Sequence, residues 1–370
     1  MQEMKKRRIV LASLLKPIND TRMVEKMAVS LAQSGRYEVH VIGYPVNTLD
    51  NAPEIHFHAL SGFKRLSLGR VAARLKTLKI TIKVKPDLLI VTTHELLGVA
   101  VLNRIFFGTK IGYDVQENYG RNIRFTNAFP RGTRTLIAGL VRLKETICAP
   151  FISQFLLAEK CYADELPFVK NKFTIIQNKC RIPASFRRTS IPGEFRLIFT
   201  GTLADSTGAL ESIRLAKSLH AREPKVHLVI LGHCLQRKVL DEIEREVAQH
   251  PFITLVGGGE LIPHSRIVDA IASANYGVIY YPMSPHIANK TPTKLFEYLA
   301  LGLPILLQNH PPWIERCASP HAAIPVDFSS PDAERILAAM KTQSFYSSSP
   351  ADVAWAGEEE KLLSLVQRIF

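Results

Sequence analysis

The chain has 370 residues, of which 46% are apolar and 22% charged, and it carries a net charge of +14. At ~100–200 residues per domain the length suggests two domains or three, and the composition is that of a folded protein, which excludes the disordered and fibrous classes. No run approaches the ~18 consecutive apolar residues of a membrane span, and the apolar run after the basic start Met1–Arg8 stops at Lys16-Pro17, too early for a secretory leader.

Short β-branched runs alternate with longer amphipathic stretches. Ile9–Leu14 reads as a strand, Arg22–Ser34 as a helix with apolar residues at helical spacing, and Glu38–Gly43 as a second strand. Ile55–His58 is a short third strand and Leu68–Lys83 a basic helix. Leu88–Thr92 reads as a strand buried on both faces, as in parallel sheets. His94–Phe107 is helical, Lys110–Asp114 a strand, Thr133–Lys144 a helix, and Phe155–Leu157 and Thr174–Gln177 are strands. The periodicity breaks at Ile182–Glu194, where Pro183, Pro192 and Gly193 sit among polar residues, and this segment reads as a linker. The pattern restarts with strand Phe195–Phe199, helix Ala209–Ala221, strand Val226–Leu231, helix Gln236–Ala248 and strand Ile253–Val256. Helix Ser265–Ala272, strand Tyr276–Tyr280, helix Thr293–Ala300 and strand Pro304–Leu307 follow, and Ala351–Phe370 forms a last helix with Trp355 and an apolar face. The expected class is α/β: two doubly wound Rossmann-like domains facing across a cleft, residues 1–185 and 186–350, with helix 351–370 packing back across the hinge. In such sheets ligands bind beyond the carboxyl ends of the strands.

Residues 1–190 hold 31 Lys and Arg against 14 Asp and Glu, while residues 191–370 hold 16 against 19. The positive charge therefore belongs to the N-terminal half. It points to an anionic partner there (a membrane surface, nucleic acid or a phosphorylated substrate) or to a merely soluble basic face. The five cysteines, Cys148, Cys161, Cys180, Cys234 and Cys317, form no CxxC pair and read as reduced thiols of a cytosolic protein.

Several signatures are absent. There is no GxxxxGK[ST] loop, and no GxGxxG follows a strand; Gly257-Gly258-Gly259 alone is weak evidence of a dinucleotide site. His94-Glu95 has no histidine four residues on, and no Gly-x-Ser-x-Gly elbow occurs. The aromatic-plus-basic pattern of RNA readers is missing, which sets nucleic acid aside. His56 and His58 face the same way along a strand, but no third ligand of suitable spacing lies nearby, so they read as strand-face histidines and no metal site is expected.

One dense segment remains, Tyr281–Leu307, YPMSPHIANKTPTKLFEYLALGLPILL. A loop rich in Ser, Pro, Asn and Thr follows a strand and opens into a helix, which Thr291 or Thr293 can cap, with Pro292 suited to its first turn. Such an N-terminus attracts an anion such as a diphosphate. Lys294 stands in the first turn, where the helix dipole disfavours a cation, and an anionic ligand explains that placement better than helix stability does. Glu297, on the same face, can accept hydrogen bonds from a vicinal diol. The alternative is a solvent-exposed Lys–Glu pair.

PTKLFEYLALGLPIL resembles the donor-site helix of glycosyltransferases of the B fold, in their large retaining family 4 group. IFTGTLADSTGALESI, HLVILGHC and ITLVGGG resemble successive strand ends of the donor domain, and GYDVQEN and FLLAEKCYADEL segments of the acceptor half. The resemblance covers most of residues 9–310. It implies sugar transfer from a nucleotide-diphosphate sugar to an acceptor hydroxyl with retention, without metal or cofactor. The acceptor would be saccharide or lipid-linked, in cell-surface polysaccharide or glycolipid synthesis. The expected location is cytoplasmic, with peripheral association at the inner face of the plasma membrane. Glu297 would bind the donor ribose. Gly201, Thr202, Leu203, Gly232, Gly257, Asn289, Lys290, Thr293, Lys294 and Leu295 would complete the donor site. Glu117, Gln116 and Asn118 would serve catalysis, and Lys16, Asn19 and Asp20 would line the acceptor side; Asp20 reads equally as a helix cap. Three departures stand out: Asn289 where the family commonly has glutamate, Thr202 where it often has arginine, and Thr207 where it often has lysine. Diphosphate charge then falls to Lys294, Lys290 and the amides of Gly201–Leu203. Two other classes share this pattern: a nucleotide-sugar 2-epimerase of the same fold and a non-catalytic membrane-binding scaffold.

Overall fold

Strands form where apolar residues run without interruption, and the run Leu88–Val91 is buried at every position. A computed structural model describes residues 6–46, 52–63, 67–126 and 129–370; the first five residues of the basic start lie outside them. The chain divides into two compact units, Met1–Arg181 with Trp355–Phe370, and Ile182–Ala354.

The first unit is built on β1 (Arg7–Pro17), β2 (Tyr37–Tyr44), β3 (Ile55–Ala59), β4 (Leu88–Val91), β5 (Lys110–Val115), β6 (Gln154–Leu157) and β7 (Phe173–Ile175). They form one seven-stranded sheet in the order β3-β2-β1-β4-β5-β6-β7. All pairings are parallel, and Ile9 lies between Val39 on one side and Leu88 on the other. The chain therefore winds outward from β1 to β3, returns to the centre and winds the other way, with a switch point between β1 and β4. A π-helix over Thr21–Ala28 runs into α1 (Val29–Gln33). It covers one face together with the last helix of the chain, Trp355–Ile369. Trp355 Nε1 donates to Ser30 Oγ at 3.0 Å, and the buried Glu358 accepts from Lys179 Nζ at 2.5 Å. The other face carries α2 (Gly69–Val84), α3 (Leu97–Phe107) and α5 (Arg134–Cys148), with α4 (Tyr119–Phe125) packed on α5; α6 (Tyr162–Glu165) follows β6.

The second unit contains β8 (Phe195–Thr200), α7 (Ala209–His220), β9 (Val226–His233), α8 (Arg237–Gln249), β10 (Ile253–Gly258), α9 (His264–Ser273) and β11 (Tyr276–Ile279). α10 (Thr293–Ala300), β12 (Ile305–Gln308), α11 (Pro311–Ala318), β13 (Ala323–Val326) and α12 (Ala333–Thr342) complete it, and the chain's last helix is α13 (Trp355–Ile369). The sheet order is β10-β9-β8-β11-β12-β13, again parallel, with its switch point between β8 and β11. The three elements after β12 in this unit are additions to the sequence expectation. Among the described residues no helix is long and apolar enough to cross a membrane.

Candidate functional site

In the second unit the loops after β8 and β11 flank the switch point. Each opens into a helix, α7 or α10, so two helix N-termini meet where an anion would be favoured. Gly208 permits this approach: its φ is +88°, and a Cβ there would run into the carbonyl oxygen of Tyr280. α10 is fixed from below by Tyr298, whose hydroxyl shares a 3.0 Å hydrogen bond with Thr200 Oγ1. Its ring fills the space that the missing Cβ of Gly277 leaves. Pro292 holds the capping position and Thr293 is the first helical residue, so the capping position itself falls to a residue with no side-chain acceptor.

Lys294 follows. It is 6% exposed, and its Nζ has no hydrogen-bond acceptor. The ammonium lies 3.7 Å from the centre of the Phe199 ring and 5.1 Å from that of Tyr281. Burial pulls its pKa from the ordinary 10.5 down to about 7, while Glu297 pulls it back up. Glu297 offsets the burial only in part, and a ligand anion would supply the acceptor that the ammonium lacks. Glu297 is also buried, and its Oε1 lies 3.1 Å from His264 Nε2 at the start of α9. The exposed Lys–Glu pair is thereby excluded; both side chains point inward at the end of the sheet.

Other expected donor residues divide in two. Gly201, Gly232 and Gly257 form a row across the ends of β8, β9 and β10, where Gly257 pairs with Gly232 and Thr200 with Leu231. A Cβ on Gly232 would strike Gly201 O, and one on Gly257 would strike Ile262 and Gly232 O. These glycines let strand ends pack together. The amides of Gly201 and Leu203 donate to Leu231 O and His233 O at 3.0 and 2.9 Å. Those two amides are thus spent, which removes them as the diphosphate donors expected from the sequence. Leu203 is fully buried, and so is Leu295. Thr202 and Asn289 are exposed, and Thr207 Oγ1 closes its own loop by donating to Thr202 O at 2.7 Å. Lys290 is held in place through its carbonyl, which accepts from Trp313 Nε1 at 2.7 Å.

In the first unit, the ends of β1 and β5 gather Lys16, Asp20, Gln116 and Glu117. Asp20 Oδ1 accepts from Met23 N at 2.9 Å, so it is a helix cap; Lys16 Nζ lies 4.0 Å from its other oxygen. Asp20 first, then Glu117 and Asp114, raise the Lys16 pKa against the opposing effect of burial. Glu117 accepts from Asn122 Nδ2. Asn19 is half-buried in the same loop. Asn118 turns away from the sheet end: it is 2% exposed, caps α4 by accepting from Arg121 N at 3.3 Å, and bonds Arg142 and Glu165. Its side chain is committed to packing, contrary to the catalytic expectation.

A second pair escaped sequence reading. Arg22 lies in the first turn of the helix after β1, and its Nε and Nη2 donate to Asp114 at 3.0 and 2.6 Å, with both side chains buried. Gln116 Nε2 donates to the same carboxylate at 2.8 Å. At the end of β4, the buried Thr92 Oγ1, Thr93 Oγ1 and His94 Nδ1 have no partner, and Glu95 pairs with Arg70.

No family model matches the sequence, and no curated protein does. Solved structures do match. A sucrose-phosphate synthase from Thermosynechococcus elongatus superposes with a TM-score of 0.74 at 13% identity, over 99% of each chain. The chain has the B-type glycosyltransferase fold. HepE from Anabaena, solved with UDP-glucose, gives a TM-score of 0.65 at 12% identity over 98% of this chain and 99% of its own. A UDP-N-acetylglucosamine 2-epimerase from Listeria monocytogenes gives 0.61 at 11% identity, over 98% and 96%. At such identity the likeness carries the B fold alone. Within this B fold, His264 and Arg22 are the site residues that no local pattern reveals, because their partners lie 33 and 92 residues away.

Proposed function

We propose that this protein transfers a sugar from a nucleoside-diphosphate sugar to an acceptor hydroxyl, with retention. The observation that carries the reading is Lys294: a buried ammonium without a hydrogen-bond acceptor, in the first turn of a helix that opens at a sheet switch point. A diphosphate would supply the missing acceptor, and the N-termini of α7 and α10 would add their dipoles. Glu297, oriented by His264, would hold the ribose diol. As the glycosidic bond breaks, negative charge builds on the diphosphate, and a preorganised cation is worth most there. That HepE was solved with UDP-glucose supports a uridine donor of this kind. Glu117 and Gln116, at the end of β5, are the candidates to orient the acceptor. Diphosphate binding would need no metal, since Asp205 is the one carboxylate in the loop after β8 and it is exposed.

The acceptor we propose is lipid-linked. α2 packs on α3 and α3 on α5, and this layer exposes Leu75, Ile105, Phe106, Leu136, Leu140 and Ile147. Lys76, Lys79, Lys83 and Arg131 are exposed among them. Apolar side chains interleaved with cations suit the interface of an anionic bilayer.

The test is a thermal-shift screen with UDP, GDP and ADP, followed by incubation with the matching sugar nucleotides. A ligand that binds only the folded state raises its melting temperature. Stabilisation by one diphosphate and release of that diphosphate only with acceptor present supports transfer. A changed sugar nucleotide without acceptor assigns the epimerase reading instead, and no stabilisation by any diphosphate rejects both enzymes in favour of the scaffold. EDTA should leave transfer nearly unchanged; a strict manganese requirement would refute the proposed way of holding the diphosphate.

A further inference from the structure

The register between β2 and β3 assembles a group that neither strand shows by itself. His40 pairs with His56, and Ile42 with His58, so Glu38, His40, His56 and His58 stand on one face of two adjacent strands. His40 Nε2 lies 3.0 Å from Glu38 Oε1, and His56 Nε2 lies 3.9 Å from the same oxygen. One ligand atom from each of Glu38, His40 and His56 fits within a mutual distance of 4.8 Å. His40 Nδ1 is engaged separately, 3.0 Å from His58 Nε2. The three imidazoles are stacked, with His40 between its neighbours at ring separations of 4.7 and 5.3 Å.

We infer that Glu38, His40 and His56 form a site for a divalent transition-metal ion of the zinc type, with His58 as the positioning residue that fixes the ring of His40. Two imidazoles and a carboxylate are a donor set that suits zinc, nickel, copper or cobalt and not magnesium or calcium. Tetrahedral zinc with bonds of ~2.0–2.1 Å needs donor atoms roughly 3.3 Å apart. The Glu38–His40 separation already meets this. The His56 side chain is 57% exposed and free to swing the remaining distance, while that of His40 is 9% exposed and anchored. A hydrogen-bond partner on the far nitrogen of a ligating histidine is the usual companion of such a site, because it fixes the ring and its tautomer. Arg8 opposes a cation near His40 and Lys83 near His58, and Glu38 is the charge that offsets them. The site lies in the amino-terminal half of both strands, away from the carboxyl ends that carry the candidate sites. Its role would be to clamp β3, the edge strand, to its single neighbour.

The full chain, purified without a polyhistidine tag, should be titrated with Co²⁺ and then Zn²⁺. One equivalent of Co²⁺ should produce a visible d–d spectrum that one equivalent of Zn²⁺ abolishes, and Zn²⁺ should raise the melting temperature. His56→Ala, at an exposed position, and Glu38→Gln, at a half-buried one, should each weaken Zn²⁺ by about tenfold or more, and His58→Phe by roughly 10–100-fold, as loss of the group that fixes a ligating ring does. UDP affinity should not change with Zn²⁺ in any of them. Absence of a one-to-one cobalt signal would overturn the proposal, and so would Zn²⁺ binding that survives both His56→Ala and Glu38→Gln unchanged.

Discussion

Each unit buries one cation in the first turn of a helix beside its switch point, and the two are treated in opposite ways. Arg22 meets Asp114 through two donor nitrogens, and both groups are sealed from solvent. Lys294 meets two aromatic faces and no acceptor. The first arrangement holds its own counter-charge, although Arg22 Nη1 has no acceptor; the second has no acceptor at all, and on the proposed function a diphosphate would supply one. On the proposed function, a scaffold of the same winding would support a structural ion pair in one unit and a binding charge in the other.

This contrast gives the largest expected effect. Asp114→Asn leaves Arg22 buried without its counter-charge and should cost about 3–5 kcal/mol in a urea melt. Lys294→Met removes an unsatisfied charge and should leave stability unchanged or raise it. Equal losses in both variants would break the comparison. Function should respond the other way. Lys294→Met should weaken nucleoside diphosphates by ~10–100-fold in calorimetry while barely touching monophosphates, and Glu297→Gln should cost about tenfold, one charge-assisted hydrogen bond being worth ~1.5–3 kcal/mol.

The pH dependence sharpens the same point. Because burial lowers the Lys294 pKa to about 7, the cost of its charged form is present in full below that pH and fades as pH rises toward 10.5. A bound diphosphate would hold the lysine protonated, so binding above pH 7 takes up a proton. Diphosphate affinity should then fall by up to about tenfold per pH unit between pH 7 and 9. An affinity flat across that range would mean that Lys294 does not change its charge on binding. The smallest effect concerns the surfaces. Lys79→Ala should weaken binding to anionic vesicles by about 1 kcal/mol, roughly fivefold, with no such change for Lys238→Ala in the second unit. Equal binding to neutral vesicles, or none to either, would remove the membrane reading.

Most of the fold was legible because parallel strands buried on both faces leave continuous apolar runs, as at Leu88–Val91, and amphipathic helices separate them. The stretch after β12 was not. β13 has four residues with Pro325 among them, and α11 begins with two prolines, so neither presents a period long enough to read. In the site, Lys294 and Glu297 announced themselves by helix position. The strand-end glycines are ambiguous, since a glycine required by a neighbouring carbonyl looks the same in sequence as one required by a phosphate. His40 gives no such signal in the sequence, because only the register of β2 on β3 brings it to His56.

The return of the chain in α13 bears on how the protein is made. Trp355 N donates to Cys180 O at 2.7 Å, so residues 182–354 leave and re-enter the first unit at one point, as an insertion does. Trp355, Leu362, Leu365 and Val366 belong to the apolar cluster under β1 and β2, and Glu358 is the buried partner of Lys179. At ~5–20 residues per second of synthesis, the ribosome needs roughly ten to thirty seconds to traverse the inserted unit. During that interval the nascent first unit has an uncovered apolar groove and a lysine without its carboxylate. The first unit to be synthesised is therefore the last to be finished.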